Sequence, residues 1–250
     1  MKLKRFLSCV LSLLLVLPSV FFTPFAYAEE DTEEAKDPSE YEYPVPDGLP
    51  VVDVTSWEFR LANSCNSISC YKCPLVSGIE TQGVDRRIYE AAVQMIYDCR
   101  DAGYPIYIAA GYRDFEYWEI GWWESVVKLQ YNYSAYDAAQ EILPPGCNEH
   151  QLGLGIDLTS NAGYASNYEF ARCEDDYYSE SFIWLNEHCA EYGFVQRYPE
   201  GKEAYYGVAC CPWHYRYVGV EAATYMKENN LCLEEFLMLY GYPVTLPGQN

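Results

Sequence analysis

The chain has 250 residues, of which 50% are hydrophobic and 21% are charged, which is enough apolar material to bury one sizeable core. This composition excludes a disordered tail or a fibrous protein. Lys and Arg number 16 against 37 Asp and Glu, and the formal net charge of -21 excludes a basic nucleic-acid-binding protein, because positive charge is needed to displace the counterions of a phosphate backbone.

The N-terminus has the three regions of a secretory signal peptide. A basic start is followed by an apolar run at residues 10–17 and by the small-residue site Ala26-Tyr27-Ala28. The apolar run is shorter than the roughly 20 residues of a membrane span, so we expect cleavage rather than a permanent anchor. Residues 1–28 are therefore predicted to be a signal peptide, and the mature protein is predicted to be secreted.

The rest of the chain divides by composition into two parts. Residues 29–50 are acidic and proline-rich with few large apolar side chains, which predicts a solvated linker. Residues 51–250 contain no internal repeat and are predicted to form one folded domain.

The first predicted helix covers residues 86–102, because its apolar side chains recur every three or four residues and Gly103 follows them. Further helices are predicted after Asp114 and over 181–193, 221–229 and 233–240, and strands over 104–109, 194–197 and 215–218. Strands do not alternate regularly with helices. We therefore predict the α+β fold class, with a small antiparallel sheet flanked by helices, rather than a doubly wound α/β fold.

Two of the three histidines lie in segments that favour a metal site. His150 is followed seven residues later by Asp157, and His214 lies in a Pro-Trp-His-Tyr segment. Two imidazoles and one carboxylate form a ligand set that leaves a fourth zinc position for water. Spacing alone still favours ordinary structural histidines, which is our interpretation of His188.

Six segments together resemble, in order and spacing, the VanY-like D-alanyl-D-alanine carboxypeptidases. They read AGYR (110–113), PPG (144–146), EHQLGLGID (149–157), YGF (192–194), RYPEGKE (197–203) and PWHYRYVG (212–219). The resemblance runs from about Trp57 to the C-terminus and implies a zinc D,D-peptidase type of fold, with Zn²⁺ held by His150, Asp157 and His214. It also implies a cell-wall-associated enzyme that removes the terminal D-alanine from peptidoglycan stem peptides ending in D-Ala-D-Ala.

The resemblance also assigns a role to Arg113. The family has an arginine near the scissile carbonyl, where a guanidinium can stabilise the developing oxyanion. A salt bridge on a surface loop is the alternative role for this side chain. Because the Gly-Tyr-Arg segment lies within the matched series and precedes a predicted helix, we predict that Arg113 is catalytic.

Four positions near this site differ from the family pattern. The family has Glu-Pro-Trp-His before the last zinc ligand, and that glutamate is its general base, whereas this chain has Cys211. A thiol is shorter and has a usual pKa of about 8.5 rather than about 4.3, so we expect it to be a poor substitute. Asp114, Trp118 and Asn148 replace the usual Ser, Gln and Ser, which predicts a substrate-binding pocket that has been rebuilt or abandoned.

The use of cysteine agrees with an oxidising compartment. Cys9 lies in the predicted signal peptide, so ten of the eleven cysteines remain in the mature chain. Two bridges are predicted, one within the group Cys65, Cys70 and Cys73, and one that joins Cys147 to Cys211 or Cys210. If Cys211 instead remains a thiol, it is a candidate zinc ligand.

Two functions from different classes remain open. The first is a secreted zinc D,D-carboxypeptidase with reduced activity, since loss of a general base typically costs about 10²- to 10⁴-fold. The second is a non-catalytic, zinc-containing module, a pseudoenzyme, that binds peptidoglycan peptides. A thiol hydrolase that uses Cys211 with His214 ranks third, because a neighbouring zinc ion would compete for the thiolate.

Overall fold

The computed structural model describes residues 44–69, 71–74, 76–80, 82–116, 120–132, 134–165 and 178–248. The predicted signal peptide, most of the predicted linker, Cys70 and Trp118 lie outside the described residues. Within the described ranges, no helix combines the length and the apolar character that crossing a membrane requires. The boundaries at residues 28 and 50 stay predictions.

The helices of the described part are α1 (Tyr89–Asp101), α2 (Ile120–Leu129), α3 (Ala135–Glu141), α4 (Ala162–Ala165), α5 (Glu180–His188), α6 (Glu203–Tyr206), α7 (Val220–Glu228) and α8 (Leu233–Leu239). The strands are β1 (Val76–Ile79), β2 (Gln82–Asp85), β3 (Tyr107–Ala110), β4 (Gly155–Thr159), β5 (Phe194–Tyr198) and β6 (Cys211–Tyr217). Short 3₁₀ turns cover Trp57–Phe59, Glu149–Leu152 and Cys189–Tyr192.

The strands form two antiparallel sheets. β1 and β2 form a hairpin, and the larger sheet has the strand order β3-β4-β6-β5. Helices flank this sheet, so the predicted α+β fold class with a small antiparallel sheet is confirmed.

The main core lies between α1, α5 and the larger sheet. Ala92, Met95, Ile96 and Cys99 form the buried face of α1, at the spacing that one side of a helix requires. They pack in one cluster with the apolar residues of β3 and β4. A second cluster joins α7 and α8 to the segment around Phe59. Burying these apolar side chains is the main force that holds the sheet against the helices.

Most predicted elements are confirmed, with ends that shift by a few residues. α1 covers 89–101 instead of 86–102, and the helix predicted over 181–193 divides into α5 and a 3₁₀ turn that ends at Gly193. The strand predicted at 104–109 begins only at Tyr107. Pro105 precedes it and has no N–H to donate to a sheet.

β4 is the main element that the sequence does not predict. Ile156 and Leu158 alternate with Asp157 and Thr159, but this alternation covers only four residues, and all five residues of the strand are buried. β4 nevertheless lies between β3 and β6 in the larger sheet. It positions the site described next.

Candidate metal centre

The pairing of β4 with β6 places two of the predicted metal ligands directly opposite each other. Asp157 on β4 pairs with His214 on β6. His150 lies on the 3₁₀ turn just before β4, and Gly153 ends that turn with a φ of 73°. A Cβ atom at Gly153 would come within 2.9 Å of the backbone nitrogen of Asp85, so the turn needs a glycine for its conformation and for its packing.

The three side chains converge on one carboxylate. His150 Nε2 lies 3.0 Å from Asp157 Oδ2, and His214 Nδ1 lies 2.7 Å from Asp157 Oδ1. The two imidazole rings are 4.8 Å apart and nearly perpendicular. One ligand atom from each residue lies within 4.8 Å of the others, and no further group of this kind is found in the part of the chain that the structure describes. These three residues can hold a metal ion.

The Gly111 carbonyl sets the tautomer of His150. His150 Nδ1 donates a hydrogen bond to this carbonyl oxygen at 2.7 Å, so the proton is on Nδ1 and the lone pair of Nε2 faces Asp157. Burial lowers the pKa of His150 to about 4, against the opposing charge of Asp157, so the ring is neutral near pH 7. A neutral imidazole is the form that binds a metal.

The other two ligands have pKa values that move in opposite directions. Burial opposes ionisation of Asp157, but His150 and His214 outweigh it and hold the carboxyl pKa well below its usual range. Burial also opposes protonation of His214. The hydrogen bond to Asp157, together with the nearby carboxylate of Glu149, outweighs the effect of burial and raises the pKa of His214. Asp157 is therefore an anion at neutral pH, as a metal ligand must be.

A fully buried network of four charged side chains lies behind His214. Glu149 Oε1 accepts hydrogen bonds from Arg197 Nε at 2.7 Å and from Arg216 Nη1 at 2.6 Å. Glu234 accepts two hydrogen bonds from Arg197, and Asn63 donates a third to it. Burial opposes ionisation of Glu149, but the two arginines hold its pKa well below the usual range. Two positive and two negative charges thus balance in the protein interior.

Arg113 lies at the edge of the same site. Its Nη2 atom is 3.9 Å from Asp157 Oδ2, and its guanidinium carbon is 4.7 Å from the centre of the Trp122 ring. Its backbone nitrogen also donates a hydrogen bond to the carbonyl oxygen of His150. The Trp122 ring and the backbone contact hold the guanidinium beside the candidate metal ligands.

The ligand set opens into a cavity of about 300 Å³. Its lining includes the three ligands, Arg113, Asn148, Cys211 and aromatic side chains such as Trp122, Tyr131, Tyr198 and Trp213. This combination of an apolar wall and a few converging polar groups is typical of a small-molecule or peptide site.

Cys211 reaches the cavity because β6 is irregular. Cys211 and His214 are three residues apart, and in a regular strand such side chains point to opposite faces. The pairing of β5 with β6 has a register shift before Tyr198, which pairs with Cys211 instead of Trp213. The alternation of a regular strand therefore does not hold between Cys211 and His214, and both side chains line the cavity.

The remaining predicted site residues lie in different places. Asn148 lines the cavity, and its side chain accepts a hydrogen bond from the backbone nitrogen of His150. Asp114 is outside the described lining and accepts hydrogen bonds from the Tyr112 hydroxyl and the Glu116 backbone. Trp118 lies outside the described residues. His188 is partly exposed outside the described cavity lining, and its Nδ1 atom lies 2.8 Å from Glu191 Oε1. The substrate-binding roles of Asn148, Asp114 and Trp118 stay predictions.

The described cysteines form no disulfide with one another in this structure. Cys147 is half-buried, and both burial and the neighbouring Cys65 thiol raise its pKa. Cys73 is buried and donates to Asp85 Oδ2. The two predicted bridges stay predictions.

The charged side chains of the network behind the ligands were not predicted from the sequence, namely Glu149, Arg197, Arg216 and Glu234. A signal was present for two of them, because Arg197 and Arg216 lie in segments where most of the neighbouring residues are apolar or aromatic. A charged residue is rarely fully buried unless it is paired, so an arginine within a core strand indicates a buried partner.

Two buried histidines and one aspartate are held by the antiparallel sheet and line a cavity. This arrangement defines a candidate metallohydrolase centre. The family model of VanY, D-alanyl-D-alanine carboxypeptidase, matches residues 81–220. A D-alanyl-D-alanine carboxypeptidase of Enterococcus faecalis is 35% identical over 195 residues, which are 74% of this chain and 67% of that protein. The chain belongs to the VanY D-alanyl-D-alanine carboxypeptidase family.

Solved structures agree with this assignment. One of them is the vancomycin resistance D,D-pentapeptidase VanY from the VanB-type resistance cassette, solved as a glutamate-to-alanine variant in complex with Zn(II). This chain matches it with a TM-score of 0.61 and 30% identity, and the match covers 73% of this chain and 99% of that one. VanYB in complex with D-alanine-D-alanine also has a TM-score of 0.61, with 31% identity, covering 73% of this chain and 98% of that one.

Proposed function

We propose that this protein is a secreted or cell-wall-associated, zinc-dependent D-alanyl-D-alanine carboxypeptidase with weak turnover, which acts on peptidoglycan stem peptides. The observation that carries the proposal is the convergence of His150, Asp157 and His214 at the base of a cavity in a chain of the VanY family. The substrate class is supported by the relatives, one of which was solved with D-alanine-D-alanine.

The residues at this site fit a zinc ion. His150 Nε2 and Asp157 Oδ2 lie 3.0 Å apart, and because His150 carries its proton on Nδ1, both of these atoms are acceptors that repel each other. A shared cation removes this repulsion. His150 Nε2, the Asp157 carboxylate and His214 Nδ1 would hold the ion, which when bound would polarise the scissile carbonyl and the attacking water.

The chain itself would bind and orient the peptide. Arg113 lies 3.9 Å from Asp157 and faces the cavity, where its guanidinium would stabilise the negative charge that develops on the scissile carbonyl oxygen. Asn148 would bind the peptide through its amide, and Trp122 and Trp213 would exclude water from one side of it.

Cys211 is the reason for proposing weak turnover. It lines the cavity, and the family resemblance implies a general base at its position in the sequence. A thiol with a usual pKa of about 8.5 is mostly protonated at pH 7 and takes up a proton poorly in that form. The same observation supports the second candidate function, a non-catalytic zinc-containing module that binds peptidoglycan peptides without cleaving them.

One experiment separates the two functions. Zinc-loaded mature protein is incubated with a pentapeptide that ends in D-Ala-D-Ala, and release of D-alanine is followed for the wild type, Cys211→Glu and Cys211→Ser. We expect slow, chelator-sensitive release by the wild type, an increase of about 10²- to 10⁴-fold in Cys211→Glu, and no increase in Cys211→Ser. His214→Gln is the inactive control.

Release by Cys211→Glu alone, with peptide binding retained by the wild type in calorimetry, would contradict the enzyme and support the binding module. Absence of stoichiometric zinc from the wild type, or a melting temperature that does not respond to chelator, would contradict both functions.

A further inference from the structure

Two buried polar atoms face each other behind the candidate metal ligands. Glu149 Oε2 and His214 Nε2 are 3.7 Å apart, which is longer than a hydrogen bond. Neither atom has a hydrogen-bond partner among the residues that the structure describes, and both side chains are buried. A buried polar atom without a partner is costly, so this pair of atoms requires an explanation.

The geometry of His214 supplies one. Its Nδ1 atom faces Asp157 at 2.7 Å, so Nδ1 is the nitrogen that can bind a metal. A nitrogen that binds a metal uses its lone pair, and the ring proton must then be on the other nitrogen, Nε2. Glu149 Oε2 is an acidic oxygen that lies 3.7 Å from Nε2.

We propose that Glu149 is a positioning residue of the metal centre, whose Oε2 atom accepts a hydrogen bond from His214 Nε2 and so directs the Nδ1 lone pair toward the metal. The inference rests on the proposed metal site and does not depend on turnover. A shift of about 0.7 Å closes the contact to the usual length of about 3.0 Å. Such a carboxylate–histidine–metal arrangement fixes the tautomer and the orientation of a ligand.

The surroundings leave Glu149 Oε2 available for this contact. Its other oxygen, Oε1, already accepts hydrogen bonds from Arg197 and Arg216. Gly155 supplies an independent observation, because a Cβ atom there would lie 2.6 Å from His214 Nε2 and 3.4 Å from Glu149 Cβ. Only a glycine at this position leaves room for the imidazole beside the carboxylate.

The two ligand histidines should therefore carry opposite tautomers. His150 has its proton on Nδ1, which donates to the Gly111 carbonyl, and binds through Nε2. His214 has its proton on Nε2, which donates to Glu149, and binds through Nδ1. This difference is the spectroscopic signature of the proposed ligand geometry, and a change of this signature in Glu149→Gln would separate a positioning role of Glu149 from a purely structural one.

Glu149→Gln tests the inference. The amide oxygen of the new side chain will face Arg197 and Arg216, because both are donors, so its NH₂ group will face His214 Nε2. Two donors cannot form a hydrogen bond with each other, so the variant favours the tautomer with the proton on Nδ1, which blocks the metal. Glu234→Gln is the matched control, because it also removes a buried negative charge beside Arg197 but does not contact His214.

Zinc affinity is measured by competition with a chelating dye, and the ligand geometry by the absorption spectrum of the Co²⁺-loaded protein. We expect Glu149→Gln to bind zinc about 10- to 100-fold more weakly with an altered Co²⁺ spectrum, and Glu234→Gln to stay within about threefold of the wild type with an unchanged spectrum. Equal effects of the two variants, or none, would overturn the inference.

A second measurement needs no variant that alters the network. In the zinc-loaded wild type, ¹⁵N-detected histidine spectra should show His214 protonated on Nε2 and His150 protonated on Nδ1. A proton on Nδ1 of His214 would overturn the inference. If the wild type binds no zinc, the proposed function fails; if it binds zinc but these signatures are absent, only the role of Glu149 fails.

Discussion

The two sides of the cavity are built differently. On one side, His150, Asp157 and His214 are each 3% exposed and rest on side chains that are fully buried. On the other side, the rim residues Arg113 and Cys211 are partly exposed, and 11% of the Arg113 side chain is accessible. The ligand side is thus part of the protein interior, whereas the rim is in contact with solvent.

This difference separates two requirements of a metallopeptidase, namely metal binding on the ligand side and proton transfer at the rim. The ligand side cannot change without leaving buried charges unpaired, because Glu149, Arg197 and Glu234 depend on one another. Cys211, Asn148 and Asp114, which the resemblance interprets as departures from the family pattern, are not among the residues of this buried network. We therefore expect substitutions on the ligand side to affect metal binding more strongly than substitutions at the rim.

The largest change in the free energy of unfolding is expected from a substitution in the buried charge network. Arg197→Met leaves Glu149 and Glu234 without one of their cations, and loss of one partner from a buried ion pair costs about 3–5 kcal/mol. Urea unfolding followed by circular dichroism measures this cost. A loss below about 1 kcal/mol would show that the network is not structural.

A smaller change in stability is expected when the pH is lowered, because the metal ligand His150 titrates in the metal-free protein. Burial holds the pKa of His150 at about 4, against about 6.5 in the unfolded chain, so between these values the unfolded chain binds the extra proton and stability falls as pH falls. From pH 7 to pH 5 the loss is about 2 kcal/mol, because each pH unit in this window is worth about 1.36 kcal/mol. The raised pKa of His214 acts in the opposite sense and only above about 6.5.

Urea midpoints at several pH values, measured in the presence of a chelator, test this prediction. His150→Gln is the control, because it removes the titrating group and should flatten the profile between pH 6.5 and pH 4. A wild-type profile as flat as that of the variant would mean that His150 is not held neutral.

The smallest effect is expected at the rim. Cys211→Ser changes a half-buried side chain to one of similar size, so we expect the free energy of unfolding to change by about 1 kcal/mol or less. Zinc affinity should stay unchanged. If this variant loses zinc, Cys211 is a metal ligand, and the division between the two sides does not hold.

The sequence predicts the helices better than the central strand. α1 has one buried face, and its three- and four-residue spacing identifies it. β4 begins with a glycine and alternates apolar and polar residues over only four positions, which is too short a pattern to identify a strand by itself. Its position between β3 and β6 depends on pairing with residues far along the chain, which local periodicity does not contain.

The residues of the candidate site also differ in how well the sequence predicts them. The ligands His150, Asp157 and His214 were identified from matched segments, and the structure brings them together. Glu149 belongs to the same segments but looks like an ordinary surface glutamate, because nothing in its neighbours shows that two arginines will be buried against it. Its place in the interior depends on Arg197 and Arg216, which are 48 and 67 residues away in sequence.

The irregular pairing in β6 also bears on how this site can be redesigned. The regular ladder between β4 and β6 ends at the pair of Asp157 with His214, and Cys211 lies beyond it, paired only with β5. Exchange of the side chain at position 211 therefore leaves the ladder that aligns the ligands intact. For a protein engineer, position 211 is a place where acids, amides or thiols can be tried in turn on a constant metal-binding scaffold, so that their effects on peptide binding and hydrolysis can be compared.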